Sequence, residues 1–273
     1  MLFNQLEETI AFLKTKTDIK PSIGVVLGSG LGALADDVQS PIVIPYQEIP
    51  HFPKSTSTVE GHKGELIFGT LGGKNVMLMA GRFHYYEGYD MKQVTYPIRV
   101  MKAMGVETVI LSNAAGSMHP DYEVGDIMFL KDHINLFPEN PLRGPNDERL
   151  GVRFLDMSEP YCLSLLEKAS EVAKKQGLDH YVGTYVGLTG PTFETRAEYE
   201  YLYRISGDVV GMSTVPEVIV ALHGGMKVFA ASIVTDVGIR VEMNTITHEE
   251  VLEAANAAAP KLSKLVTGLI EAI

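Results

Sequence analysis

The sequence predicts an α/β fold, a single domain in which a central mixed β-sheet is flanked by helices, and three observations carry that prediction. Strand-length apolar runs alternate with stretches of helical periodicity, as they do when helices cover both faces of a sheet. Two of the runs are joined only by "TLGGKNV", too short for a crossover, so Gly72-Gly73 reads as a hairpin turn between antiparallel strands. No internal repeat, low-complexity tract or charged linker divides the chain, so residues 1–273 read as one domain.

In chain order, residues 3–16 form an amphipathic helix. Its acids Glu7 and Glu8, without a basic start and an apolar block, set it apart from a signal peptide. Strands follow at Val25-Leu27, Leu66-Phe68 and Val76-Met79, then a helix at 91–104 and strands at Val109-Leu111 and Ile127-Leu130. Helix 161–176, strand Val186-Leu188, helices 195–206 and 215–224, and strand Val228-Val234 continue the alternation. Thr247 and Glu250 stand at capping-box spacing and open the closing helix, 247–272. Only residues 132–160, rich in Pro, Asn, Asp and Gly, lack periodicity. A segment of that length inside a compact domain is usually functional, and Ile134, Leu136, Phe137, Leu142 and Phe154 give it groups to dock.

Composition removes several function classes. Apolar residues at 45% and charged residues at 21% are ordinary for a soluble globular enzyme. A net charge of -11 with no Lys/Arg cluster argues against a nucleic-acid surface, which attracts phosphates through basic patches. Cys162, the one cysteine, can form no internal disulfide, and the eight histidines show no HExxH or paired-ligand spacing, so no metal is expected. No apolar run reaches the roughly 18 residues of a membrane span. The expected location is the cytoplasm.

The chemistry starts at "SIGVVLGSGLGAL", where Gly28, Gly30 and Ala33 fit a dinucleotide-binding pattern. Ser29 between the glycines has a hydroxyl that suits a phosphate and that a nicotinamide site does not need. Four further stretches each have an unremarkable alternative. In "AGRFHYYEGY", strand periodicity puts Arg82 and His84 on one side, a forked donor and a titratable one for an oxyanion, or a surface Arg beside an ordinary His. In "LSNAAGSM", small residues after Asn113 let a ligand approach the amides of Ala114 and Ala115, or simply make a tight turn. In "VGMSTVPEVIV", Ser213 precedes a helix start, an anion site or a plain cap. In "TGPTFETRAEY", Phe193 offers a stacking face and Glu194 an acceptor for ring N–H groups, or Glu194 is a first-turn acid. Together they describe one pocket, with anion donors from three strand ends and a slot for a planar base.

These stretches also carry a resemblance. "LGSGLG", "EIPHFPKSTSTVEGHKG", "GRFHYYEGY", "SNAAG", "GDIMFLKDHINL", "NPLRGPNDE", "GPTFET", "GMSTVPEV" and "THEEV", in that order over nearly the whole chain, resemble the trimeric purine nucleoside phosphorylases. The resemblance implies a nucleoside phosphorylase-like fold and phosphorolysis of purine nucleosides to free base and ribose 1-phosphate. Inorganic phosphate is then a co-substrate, with no cofactor. It implies phosphate binding at Ser29, His62, Arg82, His84, the Ala114 amide and Ser213. Tyr86, Met212 and His248 match the ribose end, with Asn113 near phosphate and ribose, and Phe193, Glu194 and Thr235 match the base end. His84, Asn113, Glu194 and Asp236 are the candidate catalytic residues. Phe154 matches an aromatic residue that completes a neighbouring subunit's site, so a homotrimer is implied.

The chain departs from the family at Asp236, where the 6-oxopurine-specific members carry asparagine, and the segment before His248 also differs. An aspartate there is a feature of the related 5'-methylthioadenosine phosphorylases, which makes that activity the alternative and 6-aminopurine tolerance an expectation. A non-catalytic nucleoside-binding module is a remoter alternative, because it has no use for a phosphate held beside a sugar.

Overall fold

The described residues of the computed structural model, 2–28, 32–53, 63–238 and 246–273, build nine strands and six helices. They run α1 (Leu2–Lys16), β1 (Ile23–Val26), β2 (Gln39–Pro45), β3 (Glu65–Leu71), β4 (Lys74–Ala80), α2 (Met91–Ala103), β5 (Thr108–Ser117) and β6 (Ile127–Asn135). Then come α3 (Leu163–Gln176), β7 (Tyr181–Gly187), α4 (Arg196–Arg204), β8 (Val209–Gly211), α5 (Val215–His223), β9 (Lys227–Val237) and α6 (His248–Ala272). Ser29 and His62 lie outside the described residues.

The sheet is mixed, in the order β2-β3-β4-β1-β5-β8-β7-β6-β9, with β9 also paired to β5. All four residues of β1 are buried because parallel neighbours flank it, Val25 standing opposite Leu78 of β4 and Ile110 of β5. The β3–β4 hairpin turns on Gly72 and Gly73, at φ +55° and +75°. Two successive positive φ values define the tight turn that only glycine makes without strain. α2 packs on α5, and α6 covers β9 and α3. Thr247 and Glu250 cap α6 reciprocally at 3.2 Å each way, as their spacing predicts.

Two strands escape the sequence pattern. β2 carries Pro41 and Pro45 and lies at the sheet edge, where a missing N–H does least harm, and those prolines hide it from a strand search. β8 has only three residues, too few for a period. β6 also runs past Leu130 to Asn135 by pairing with β7, so the irregular segment begins at Leu136 and not at Asp132.

The pairing around β5 positions the site. Along one edge β5 pairs with β9 from Thr108 to Ser117. Along the other it pairs with β1 as far as Leu111 and then, antiparallel, with β8 at Gly116 and Ser117. The pairs β8–β7, β7–β6 and β6–β9 return to β5, so five strands close a circuit. Among the described residues no strand lies beside residues 112–115 on the forked edge.

Candidate active site

The fork leaves backbone donors pointing into a pocket. Alternate residues of a strand turn their N–H and C=O groups to the same edge. The Ser112 carbonyl accepts from Arg82 Nη1 at 2.5 Å on the forked edge, so the Ala114 amide faces the same way. Ala114 and Asn113 line the pocket that opens there. Gly28, at the end of β1, meets this stretch closely, since a Cβ on it would stand 2.5 Å from the Ser112 carbonyl oxygen. Its lack of a side chain serves strand packing. Among the described residues, β1 is followed by a short 3-10 turn and β2 and not by a helix that could receive a pyrophosphate, which argues against the dinucleotide reading.

Arg82 and His84 follow β4, which ends at Ala80, so strand periodicity does not extend to them, and both line the pocket. Arg82 is held by a fully buried carboxylate. Its Nε donates to Glu217 Oε1 at 3.2 Å and its Nη2 lies 3.0 Å from Oε2. His84 gives its backbone N–H and its Nδ1 to Glu87 Oε1, at 2.8 and 2.9 Å, and its ring stacks on Tyr86 with centroids 4.7 Å apart. With Nδ1–H committed to a carboxylate, Nε2 accepts, and it donates once the ring is protonated. Burial pushes the imidazole pKa down, against the pull of Glu87.

Ser213 sits one residue before the cap of α5, and the cap is Thr214. The Val215 N–H donates to the Ser213 carbonyl at 2.7 Å, closing a γ-turn whose central residue, Thr214, has φ +69° and ψ -55°. A β-branched residue there is strained, by about 1–3 kcal/mol, and such strain persists only where surrounding bonds over-determine it. Three do so here. The Thr214 N–H donates to Glu217 Oε2 at 2.9 Å, its Oγ1 accepts from Asn113 Nδ2 at 2.9 Å, and the Ser213 and Thr214 hydroxyls are 3.1 Å apart. Ser232 Oγ fixes the other end of the Asn113 amide at 2.7 Å. Glu217 therefore aims Arg82 and braces the turn that carries Ser213.

At the opposite end, Phe193 is half-exposed and Glu194 precedes the cap of α4, which is Thr195 with Glu198. Glu194 is thus free of helix capping and turns to the pocket. Burial raises its carboxyl pKa, and the charge of Asp236 adds to the rise. The β5–β9 register slips between Ala115 and Gly116, and the slipped residue is Thr235. Such bulges re-aim side chains, and Thr235 and Asp236 both line the pocket here. Asp236 is buried and accepts from Tyr199 Oη at 2.9 Å and from Thr235 Oγ1 at 3.2 Å. Tyr86, Met212 and His248 line the same pocket.

One pocket thus unites every described residue that the resemblance assigns to the site except Phe154. That side chain is 89% exposed and borders a separate groove with His133, Asn135 and Arg143. Sequence reasoning misses Glu217, Thr214 and Tyr199. Thr214-x-x-Glu217 is itself a capping-box spacing and signals the first two. Nothing in the sequence marks Tyr199, which reads as the apolar side of a helix. Among the described residues no three His, Cys, Asp or Glu side chains cluster as metal ligands would.

Comparison with known proteins places the chain in a family. A model of the phosphorylase superfamily matches residues 22–271. Purine nucleoside phosphorylase 1 of Geobacillus stearothermophilus is 49% identical over 97% of this chain and 96% of its own. Crystal structures of Schistosoma mansoni purine nucleoside phosphorylase match with TM-score 0.93 and 43% identity. The complex with inosine covers 99% of this chain and 96% of that one, and the complex with adenosine 98% and 96%. With the fold and nearly the full length in common, the chain belongs to the phosphorylase superfamily, among the purine nucleoside phosphorylases that its motifs resemble.

Proposed function

We propose that this protein is a purine nucleoside phosphorylase, acting on purine ribonucleosides and deoxyribonucleosides with inorganic phosphate to give free base and (deoxy)ribose 1-phosphate. One observation carries the reading: a single pocket holds an anion site of Arg82, His84, Ser213 and the Ala114 amide at one end, and Phe193, Glu194 and Asp236 at the other. As the glycosidic bond breaks, positive charge builds on the sugar, so a phosphate held beneath it both stabilises and attacks that carbon. The leaving purine gains electron density and takes hydrogen bonds from the acid end. No cofactor enters this chemistry, and the setting is cytoplasmic.

The 6-oxopurine nucleosides inosine and guanosine are the expected substrates, and Asp236 supports turnover of 6-aminopurines too. The 5'-methylthioadenosine reading rests on Asp236 alone, and the named relatives favour the nucleoside enzyme. Phe154, exposed and outside its own pocket, supports a homotrimer in which each copy completes a neighbour's site, with one domain over residues 1–273. The deciding experiment is release of hypoxanthine from inosine with and without phosphate. Phosphate-dependent release supports the reading, and nucleoside binding without turnover returns the binding-module alternative.

A further inference from the structure

Helix α4 brings one more residue to the base end of the pocket. Tyr199 is buried, and two glycines make its place. A Cβ on Gly238, just after β9, would collide with the ring. One on Gly116 of β5 would stand 3.0 Å from the hydroxyl and 2.7 Å from Asp236 Oδ2. That hydroxyl donates to Asp236 Oδ2 at 2.9 Å and is also within hydrogen-bonding reach of Glu194.

A phenol has one proton to give. Given to Asp236, it stabilises that carboxylate and is withheld from Glu194, whose own proton then stays free to face a bound base. Two carboxyl groups bridged by one hydroxyl favour holding a single proton between them, because ionising both costs more than ionising either. Where that proton sits decides what the site reads. On Glu194, the pair presents a donor and an ionised acceptor, matching the bare N1 and the 6-amino group of adenine. On Asp236, the pattern inverts and matches the N1–H and O6 of hypoxanthine or guanine. Thr235 Oγ1 shares its one proton between Asp236 Oδ1 and the Ala115 carbonyl, so it adds at most a partial donor to the first placement. Among the described residues, Glu198, farther along α4, acts on Glu194, and Arg82, His84, Tyr86 and His248 line the same pocket.

We propose that Tyr199 determines base specificity by donating to Asp236, which holds the pair's proton on Glu194 and admits 6-aminopurine nucleosides beside the 6-oxopurine ones. The proposal rests on the phosphorolysis reading, and its test separates the two. Tyr199→Phe removes the hydroxyl and keeps the ring in the space that Gly116 and Gly238 leave. The ratio of kcat/KM for inosine over adenosine should then rise about tenfold or more, mainly through lost adenosine turnover. In an Asp236→Asn background no proton can pass between two acids, and the same substitution should move the ratio by less than about threefold. Calorimetric affinities for adenine and hypoxanthine should shift in the same direction. A ratio unmoved by Tyr199→Phe, or moved equally in both backgrounds, overturns the proposal. A wild type that releases no base from any nucleoside overturns the phosphorolysis reading instead. The two base affinities in wild type and Tyr199→Phe then decide the role of Tyr199, an unchanged adenine-to-hypoxanthine ratio being fatal to it.

Discussion

Replacing Glu217 by glutamine tests the bracing of the anion site without touching a residue that lines it. The side chain keeps its size and loses its charge. In the native pocket its two oxygens serve Arg82 Nε, Arg82 Nη2 and the Thr214 N–H, with Arg82 and Glu217 side chains 1% and 4% exposed. Breaking a buried pair from one side leaves the other charge uncompensated, at about 3–5 kcal/mol. Each kcal/mol shifts Tm by roughly 2–4 °C in a chain of about this size, so the melt should fall by roughly 6–20 °C. The glutamine can still accept one bond, but it cannot hold the planar fork at both nitrogens and the turn N–H together. Arg82 and the Ser213 turn then lose their fixed aim, and a misplacement of order 1 Å is worth about a hundredfold in a positioned reaction. We therefore expect kcat/KM for phosphate to drop at least about tenfold, with nucleoside affinity much less affected. Scanning fluorimetry and phosphate-dependent inosine turnover measure the two effects. A variant melting within about 2 °C of wild type, with phosphate kcat/KM within about threefold, would refute the bracing argument.

Four other outcomes are expected. Arg82→Ala and Ser213→Ala should weaken phosphate use more than nucleoside binding, by about 1.5–3 kcal/mol each if charge-assisted bonds are lost, and unchanged phosphate KM and kcat in both would count against the assignment. Asp236→Asn should raise the preference for inosine over adenosine by about one to two orders of magnitude, because asparagine donates to O6 where a carboxylate repels it, as kcat/KM on both substrates will show. Phe154→Ala should cut activity without lowering monomer stability, and mixing it with an Arg82→Ala variant should restore some activity if sites are shared. A fully active monomer in sedimentation would end that idea. His84, His133 and His223 all have pKa values lowered from the ordinary 6.5, in each case chiefly by burial. As pH falls through that value the unfolded chain binds protons that the folded chain refuses, so stability should decline on the acid side and level off above it. His223→Gln, outside the pocket, should flatten the acid-side slope of the Tm profile below about pH 6.5.

The legible parts of this molecule are those in which one short stretch does one job. The hairpin at Gly72-Gly73 and the cap at Thr247 are local, and the structure has both. Arg82, His84, Asn113, Glu194 and Ser213 stand out because each interrupts an apolar pattern at a strand or helix end. What escapes is set by partners far along the chain. β8 is three residues long and exists because β5 and β7 flank it. Glu217 matters through Arg82, 135 positions away in sequence. Tyr199 looks apolar until the fold lays its hydroxyl against Asp236. The end of β6 is hidden too, since "DHIN" is polar and only pairing with β7 makes it a strand.

The fork in β5 also links the enzyme's durability to its co-substrate. Ordinary strands match their amides within the sheet, but residues 112–115 turn part of that complement toward a pocket. An amide so placed is worth more to the folded chain when an anion meets it, and it has no side chain that substitution could remove. A ligand bound only by the folded form stabilises it by mass action, by about 2.7 kcal/mol at a hundred times its Kd. By the same linkage, the melting temperature should climb with added phosphate, and a cell short of phosphate would hold this protein in its most easily unfolded form. Proline at position 114, which deletes the N–H and nothing polar besides, should abolish much of that climb.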